Sequence, residues 1–202
     1  MNTAGLILAG GKSGRLGAHK FQTLLENQTL LDRVVARLSP QVGTVGVNLP
    51  RYCTDEEFTV LHEPEGEAVG PLAGVLLGLQ WAQSVGVDAL VTMPVDVPFF
   101  PIDFVQQLSQ AQVGAQPICA AEDGRRHGLC ALWPVACLPE FSTHLLENDV
   151  RIVNRMLDLL QAQETVFEAE NHSQFFNVNT AEDIEIARQL LLEAKDREHD
   201  KN

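Results

Sequence analysis

One stretch of the chain stands out for its chemistry: Leu8-Ala9-Gly10-Gly11-Lys12-Ser13-Gly14-Arg15-Leu16-Gly17-Ala18-His19-Lys20. Its four glycines let the backbone turn N–H groups inward as an anion nest, and Arg15 and Lys20 bracket the loop with two cations. That combination suits phosphate. It is not a P-loop: Gly11-Lys12-Ser13 has the right ending, but Leu6 stands where the first glycine is needed. No G-x-G-x-x-G follows the preceding apolar run either, which speaks against a nicotinamide or flavin.

A second stretch, Met93-Pro94-Val95-Asp96-Val97-Pro98-Phe99-Phe100-Pro101, puts a carboxylate just past another apolar run, with prolines stiffening its flanks. A hard cation such as Mg²⁺ needs few protein carboxylates when phosphates supply its other ligands. Two further segments are candidates. Gly70-Pro71-Leu72-Ala73-Gly74 offers small residues at a helix start, for a ligand or for close packing. In Phe176-Asn177-Val178-Asn179-Thr180 the two asparagines lie on one side of an extended segment. Arg125-Arg126-His127-Gly128 reads as a basic turn, either solvated or in contact with a second anionic substrate. No G-x-S-x-G elbow is present. Cys53, Cys119, Cys130 and Cys137 form no CxxC pair, and their spacing suits buried thiols rather than zinc.

The elements that must position these residues alternate. Strand-length apolar runs are expected at 6–9, 45–47, 58–61 and 89–93, with helices at 29–38, 71–82 and 102–108. Continuous apolar strands alternating with helices predict a three-layer α/β/α sandwich with a mostly parallel, Rossmann-like sheet. Ligands of such sheets bind outside the carboxyl ends of the strands, where both the glycine loop and Asp96 fall. Beyond residue 115, strands are expected at 118–121, 129–133 and 166–167, and helices at 138–146, 150–160 and 180–194. Thr180 with Asp183 forms a variant capping box. Residues 1–192 read as one domain and 193–202 as a polar tail.

The 202 residues carry a net charge of −13 and are 45% hydrophobic. That balance excludes proteins that grip nucleic acid or anionic membranes through a basic surface. Residues 1–40 nevertheless hold five cations against two carboxylates, a local +3 that contains the glycine loop. No run of about 18 apolar residues and no signal-peptide pattern is present, so a cytoplasmic protein is expected.

In this order the segments resemble the GT-A-like nucleotidyltransferases, and more narrowly the molybdenum cofactor guanylyltransferase family. The family signature L-A-G-G-x-S-x-R-M-G-x-D-K is met by Leu8–Lys20 except for Leu16 in place of Met and His19 in place of Asp. The later G-P-L-A-G, P-x-D-x-P-x-x-P and N-x-N-T segments match residues 70–74, 94–101 and 177–180. The resemblance implies that Leu8, Ala9, Gly10 and Gly11 hold the guanine nucleotide and that Arg15 and Lys20 meet its triphosphate. It implies nucleotide contacts for Asn48 and for Glu63, with Glu65 as a competing alignment. Asp96 would contact the nucleotide and bind Mg²⁺. Asn177 and Asn179 would line the pterin-side or metal-side pocket, and Gly70 and Pro71 join them as substrate-binding residues. Arg15, Lys20 and Asp96 are then the catalytic set. The implied reaction joins GMP from GTP to molybdopterin and releases pyrophosphate. The implied partners are those two small molecules, with transient contact to proteins that supply molybdopterin or accept the product. A related CTP-dependent enzyme acting on molybdopterin or a sugar phosphate, and a nucleotide-binding adaptor without catalysis, are the alternatives.

Overall fold

A computed structural model describes residues 1–10, 20–51, 53, 58–62, 70–169 and 173–199, the last six of these by backbone alone. Its centre is a seven-stranded sheet. The strands are β1 (Thr3–Leu8), β4 (Thr44–Asn48), β5 (Thr59–Leu61), β6 (Ala89–Pro94), β7 (Ile118–Glu122), β8 (Arg125–Pro134) and β9 (Gln163–Val166), and the two-residue strands β2 (Leu24–Leu25) and β3 (Gln28–Thr29) form a separate hairpin. The order across the sheet is β5-β4-β1-β6-β8-β7-β9, and only β8 runs against the rest.

Alternation along each strand divides the core in two. Ile7, Val47, Val91, Met93 and Leu132 pack on α1 (Leu30–Leu38), α3 (Phe104–Ala111) and α6 (Ala181–His199). Leu6, Leu90, Ala131 and Trp133 pack on α2 (Pro71–Ser84), α4 (Leu138–Ser142) and α5 (Val153–Leu159). The expected three-layer α/β/α sandwich with a mostly parallel sheet is what forms. Thr3 to Ile7 are all buried, because helices cover both faces of β1. Among the described residues, no helix is long and apolar enough to cross a membrane.

Local chemistry explains the boundaries. Thr29 caps α1: its hydroxyl accepts from Asp32 N at 3.0 Å, while Thr29 N donates back to the Asp32 carboxylate. Thr180 and Asp183 do the same for α6, and the Asp183 carboxylate also accepts from Asn179 N at 2.8 Å. Glycines bring α2 close to the sheet. A Cβ on Gly78 would lie 2.5 Å from Leu6 Cδ2 and 2.7 Å from Leu90 Cδ2.

The basic segment 125–128 is not a turn, as one sequence reading has it, but the first part of β8. The turn is the tighter Asp123-Gly124, whose φ values of 50° and 72° fit a type I′ hairpin. Helix α3 starts at Phe104, leaving Ile102 exposed. Helix α5 starts only at Val153, after Asp149 takes a left-handed conformation at φ 52°. The strand expected at 166–167 lies at Gln163–Val166.

Candidate functional site

The carboxyl ends of β4, β1 and β6 open onto a cavity of about 740 Å³. Its floor follows from strand pairing. Ala9 N donates to Asn48 O at 3.0 Å and Val95 N to Leu8 O at 3.1 Å, so the chain leaves β1 and β6 side by side. Leu8, Ala9, Gly10, Asn48, Pro94 and Asp96 therefore meet at one edge.

Asp96 is the chemical centre. Lys20 Nζ lies 2.6 Å from Asp96 Oδ2 and also donates to Asn179 Oδ1. Both charged side chains are largely buried, 23% and 17% exposed, so water screens their attraction less than it would at the surface. The segment that brings Asn179 here is pinned at its middle. Val178 is buried in the core and its N–H donates to Asp96 O at 2.8 Å. Asn177, on one side of this pin, lines the cavity, and Asn179, on the other, meets Lys20.

Asn48 is 3% exposed. Its Nδ2 donates to Leu61 O at 3.3 Å, and its Oδ1 lies where a Cβ on Gly74 would come within 3.0 Å. Gly70 has φ 102° and ψ −176°, a backbone region open essentially to glycine alone. It stands at the start of α2, so Gly70 and Pro71 present a helix N-terminus, with its partial positive charge, to the cavity.

The structure thus gathers Leu8, Ala9, Gly10, Lys20, Asn48, Gly70, Pro71, Asp96 and Asn177 around one cavity, with Asn179 joined to it through Lys20. Gly11, Arg15, Glu63 and the competing Glu65 lie outside the described residues. The opposite wall is only partly legible in the sequence. Arg125, His127, Ile152 and Asn154 also line the cavity. The basic triplet was one sequence signal for it; the 152–154 segment gave none. His127 stacks on Phe175 with ring centroids 4.7 Å apart, and burial holds its pKa below the ordinary imidazole range, with Glu122 opposing that shift and Arg125 adding to it. Arg126 lines the cavity as well, but its guanidinium is tied to Asp158 at 2.5 Å and Glu164 at 2.6 Å, which push its pKa up.

A second buried carboxylate supports this region from beneath. Glu122, 3% exposed, accepts from Gln174 N at 2.9 Å and from the Ser173 hydroxyl. It anchors the segment that runs through Phe175 to Asn177 and Asn179.

Known proteins match this chain along most of its length. The family described as the MobA-like NTP transferase domain matches residues 5–166. A molybdenum cofactor guanylyltransferase of Acidiphilium cryptum (strain JF-5) is 36% identical over 186 residues, covering 90% of this chain and 92% of the relative. Another of that name, from Cereibacter sphaeroides (strain ATCC 17029 / ATH 2.4.9), is 37% identical over 195 residues, 95% of this chain and 98% of the relative. The solved structure of molybdopterin-guanine dinucleotide biosynthesis protein A from Archaeoglobus fulgidus shares the fold, with a TM-score of 0.72 at 19% identity over 94% of this chain and 99% of that one. The chain belongs to the MobA-like NTP transferase family and is a nucleotidyltransferase.

Proposed function

We propose that the protein transfers GMP from GTP to the phosphate of molybdopterin, forming molybdopterin guanine dinucleotide and releasing pyrophosphate. The observation that carries this reading is the Lys20–Asp96 pair, 2.6 Å apart in the wall of the cavity that Leu8, Ala9 and Gly10 also line. It joins a cation for phosphate and a carboxylate for metal at the edge where such sheets bind nucleotides. The names and extent of the relatives support the choice of GTP and molybdopterin.

In this reaction an ionised phosphate oxygen of molybdopterin attacks the α-phosphorus of GTP. A new P–O bond forms, the bond from that phosphorus to the bridging oxygen breaks, and pyrophosphate leaves with the electron pair. No enzyme nucleophile and no general base are needed, because the attacking oxygen carries no proton. The protein supplies position and charge neutralisation. The backbone at Leu8–Gly10 receives the nucleotide, and Asn48 and the start of α2 border it. Lys20 neutralises phosphate charge, joined by Arg15. Asn177 and Asn179 face the second substrate. Glu63, or Glu65, is the acid assigned to the nucleotide.

Mg²⁺ fits the donor set. Among the described residues, no group of three His, Cys, Asp or Glu could hold a metal unaided. Asp96 and the amide oxygens of Asn177 and Asn179 are hard oxygen donors, as suits an ion that takes its remaining ligands from phosphate. Asp96 would hold it, and the ion would supply further neutralisation of phosphate charge. Transient contact with proteins that supply molybdopterin or accept the product, and a cytoplasmic location, belong to the same reading.

The test is direct. Purified protein with GTP, Mg²⁺ and molybdopterin should release pyrophosphate and yield the guanine dinucleotide. GTP with Mg²⁺ should raise the melting temperature more than CTP does. Preference for CTP would move the protein to a cytidylyltransferase reading. Nucleotide binding without pyrophosphate release would leave an adaptor.

A further inference from the structure

Strand β8 is longer than its pairing with β6 requires. It pairs with β6 only from Ala131 to Pro134, so Arg125 to Cys130 run on past the last rung, Thr92–Ala131. On the other side its register with β7 jumps, since Cys119 faces Ala131 while Ala120 faces His127. Gly128, Leu129 and Cys130 are absorbed in that irregularity. Such a bulge re-aims the residues beyond it. It is held in place by Thr92, whose hydroxyl donates to Leu129 O at 2.7 Å and accepts from Trp133 Nε1 at 2.9 Å. The overhang becomes a side wall of the cavity.

Three basic residues stand in a row on this wall, and they are not equivalent. Arg126 spends its guanidinium on Asp158 and Glu164. Arg125 and His127, two residues apart, share the other side of the strand. Arg125 has no ion pair among the described residues. Even Glu122, directly across the ladder, gives its carboxylate to Ser173 and Gln174 instead. His127 is fixed against Phe175, in the same segment that delivers Asn177 to the cavity.

Sheet order then separates two regions. The β4 and β1 ends carry Asn48 and the Leu8–Gly10 loop, β6 carries Asp96, and β8 follows on the far side. A nucleotide over β1 leaves the β8 side free, with Asp96 on the boundary. We propose that Arg125 and His127 bind the phosphate monoester of the second substrate and bring its oxygen toward the nucleotide α-phosphorus. This deepens the transferase reading and rests on it for the identity of the ligand. A guanidinium can grip a phosphate through two parallel hydrogen bonds, and Arg125, without an ion pair among the described residues, has them to give.

The experiment compares wild type with Arg125→Gln, Arg125→Lys and His127→Asn. Arg125 is exposed, so its substitution leaves the core intact, and a thermal melt checks this for all three. In GMP transfer to molybdopterin, Arg125→Gln and His127→Asn should each raise the KM for molybdopterin about tenfold or more, the size expected for a charge-assisted bond. The KM for GTP should stay within about twofold, and Arg125→Lys should recover part of the loss. An unchanged molybdopterin KM in folded Arg125→Gln overturns the proposal. A second arm does not depend on turnover: calorimetric binding of a phosphorylated pterin in the presence of Mg²⁺ and a non-hydrolysable GTP analogue. If wild type transfers nothing but binds the phosphopterin, and the variants lose that binding, the reaction assignment fails and the subsite stands. Equal binding by wild type and variants, or none by wild type, overturns the subsite.

Discussion

Lys20 and Asp96 are 76 residues apart in sequence, yet Lys20 Nζ and Asp96 Oδ2 are 2.6 Å apart. Each is the other's counterion, and each is the residue that a nucleotide triphosphate or a metal would engage. Lys20→Ala and Asp96→Ala should therefore lower GMP transfer by about a hundredfold or more, the usual effect of removing one preorganised charge contact. Circular dichroism should show both variants folded. Near-normal pyrophosphate release from either would refute the assigned roles.

Gly74 and Gly78 lie one helical turn apart on α2 and make opposite predictions. A methyl on Gly78 would meet Leu6 and Leu90 at 2.5 and 2.7 Å, deep in the core. Gly78→Ala should destabilise the protein by about 1–3 kcal/mol through overpacking, offset in part by the roughly 1 kcal/mol helix preference of alanine. A methyl on Gly74 would instead press on Leu8 Cδ2 at 2.9 Å and Asn48 Oδ1 at 3.0 Å. Gly74→Ala should weaken GTP binding more than it lowers the melting temperature. Calorimetric titration alongside a thermal melt separates the two.

Glu122 should matter through the segment it anchors. Glu122→Ala leaves the Gln174 N–H without its partner in a largely buried place, at a cost of about 1–3 kcal/mol. Glu122→Gln keeps an acceptor oxygen and should retain most of the stability. Amide hydrogen exchange at Gln174 and Phe175 should accelerate in the alanine variant and change little in the glutamine one.

Asp183 links stability to pH. Burial alone would raise its pKa, but the N–H groups of Asn179 and Thr180, the Thr180 hydroxyl and the charge of Lys20 together hold it below its ordinary value of 3.8. A depressed carboxylate contributes stability that is fully present above the unfolded value and is lost as pH falls through the folded one. Denaturant melts should therefore lose stability below about pH 4 in wild type, and lose less of it in Asp183→Ala. At neutral pH that variant and Thr180→Ala should each cost about 1 kcal/mol, the worth of a helix cap.

Thiol reactivity should follow burial. Burial pushes the Cys119 pKa to about 11 and that of Cys137 to about 12, and holds the Cys130 thiol well above its usual range. Cys53 is half-buried. A thiol-specific reagent should label Cys53 first in the native protein and the other three only on unfolding, as mass spectrometry of the labelled peptides would show.

Much of this architecture is legible before any coordinates. Leu30, Leu31, Val34 and Leu38 show their helical period openly, and Thr180 with Asp183 announces the start of α6, because caps and amphipathic faces depend on neighbours in sequence. The β7–β8 hairpin was half legible. Asp123-Gly124 is a strong turn signal, but the basic triplet after it hides a strand whose alternation is broken by the 128–130 bulge. The two-residue strands β2 and β3 are too short to show a period. At the site, residue types pointed to phosphate and metal and to the asparagine pair 177 and 179, while the role proposed for Asn48 rests on family resemblance. The Lys20–Asn179 bond spans 159 residues, and no local pattern encodes such a contact.

That long span has a bearing on synthesis. The family match ends at residue 166, yet Val178 fastens the chain to Asp96 and Asn179 reaches Lys20. On the ribosome, strands β1, β4 and β6 emerge first and can begin to pair, but the last wall of the cavity comes only with residues 177–179. A nascent chain therefore carries an unfinished pocket until residues 178 and 179 have been made. Chains stalled or cleaved before residue 177 lack this closing contact and should not compete with the finished enzyme for its substrates.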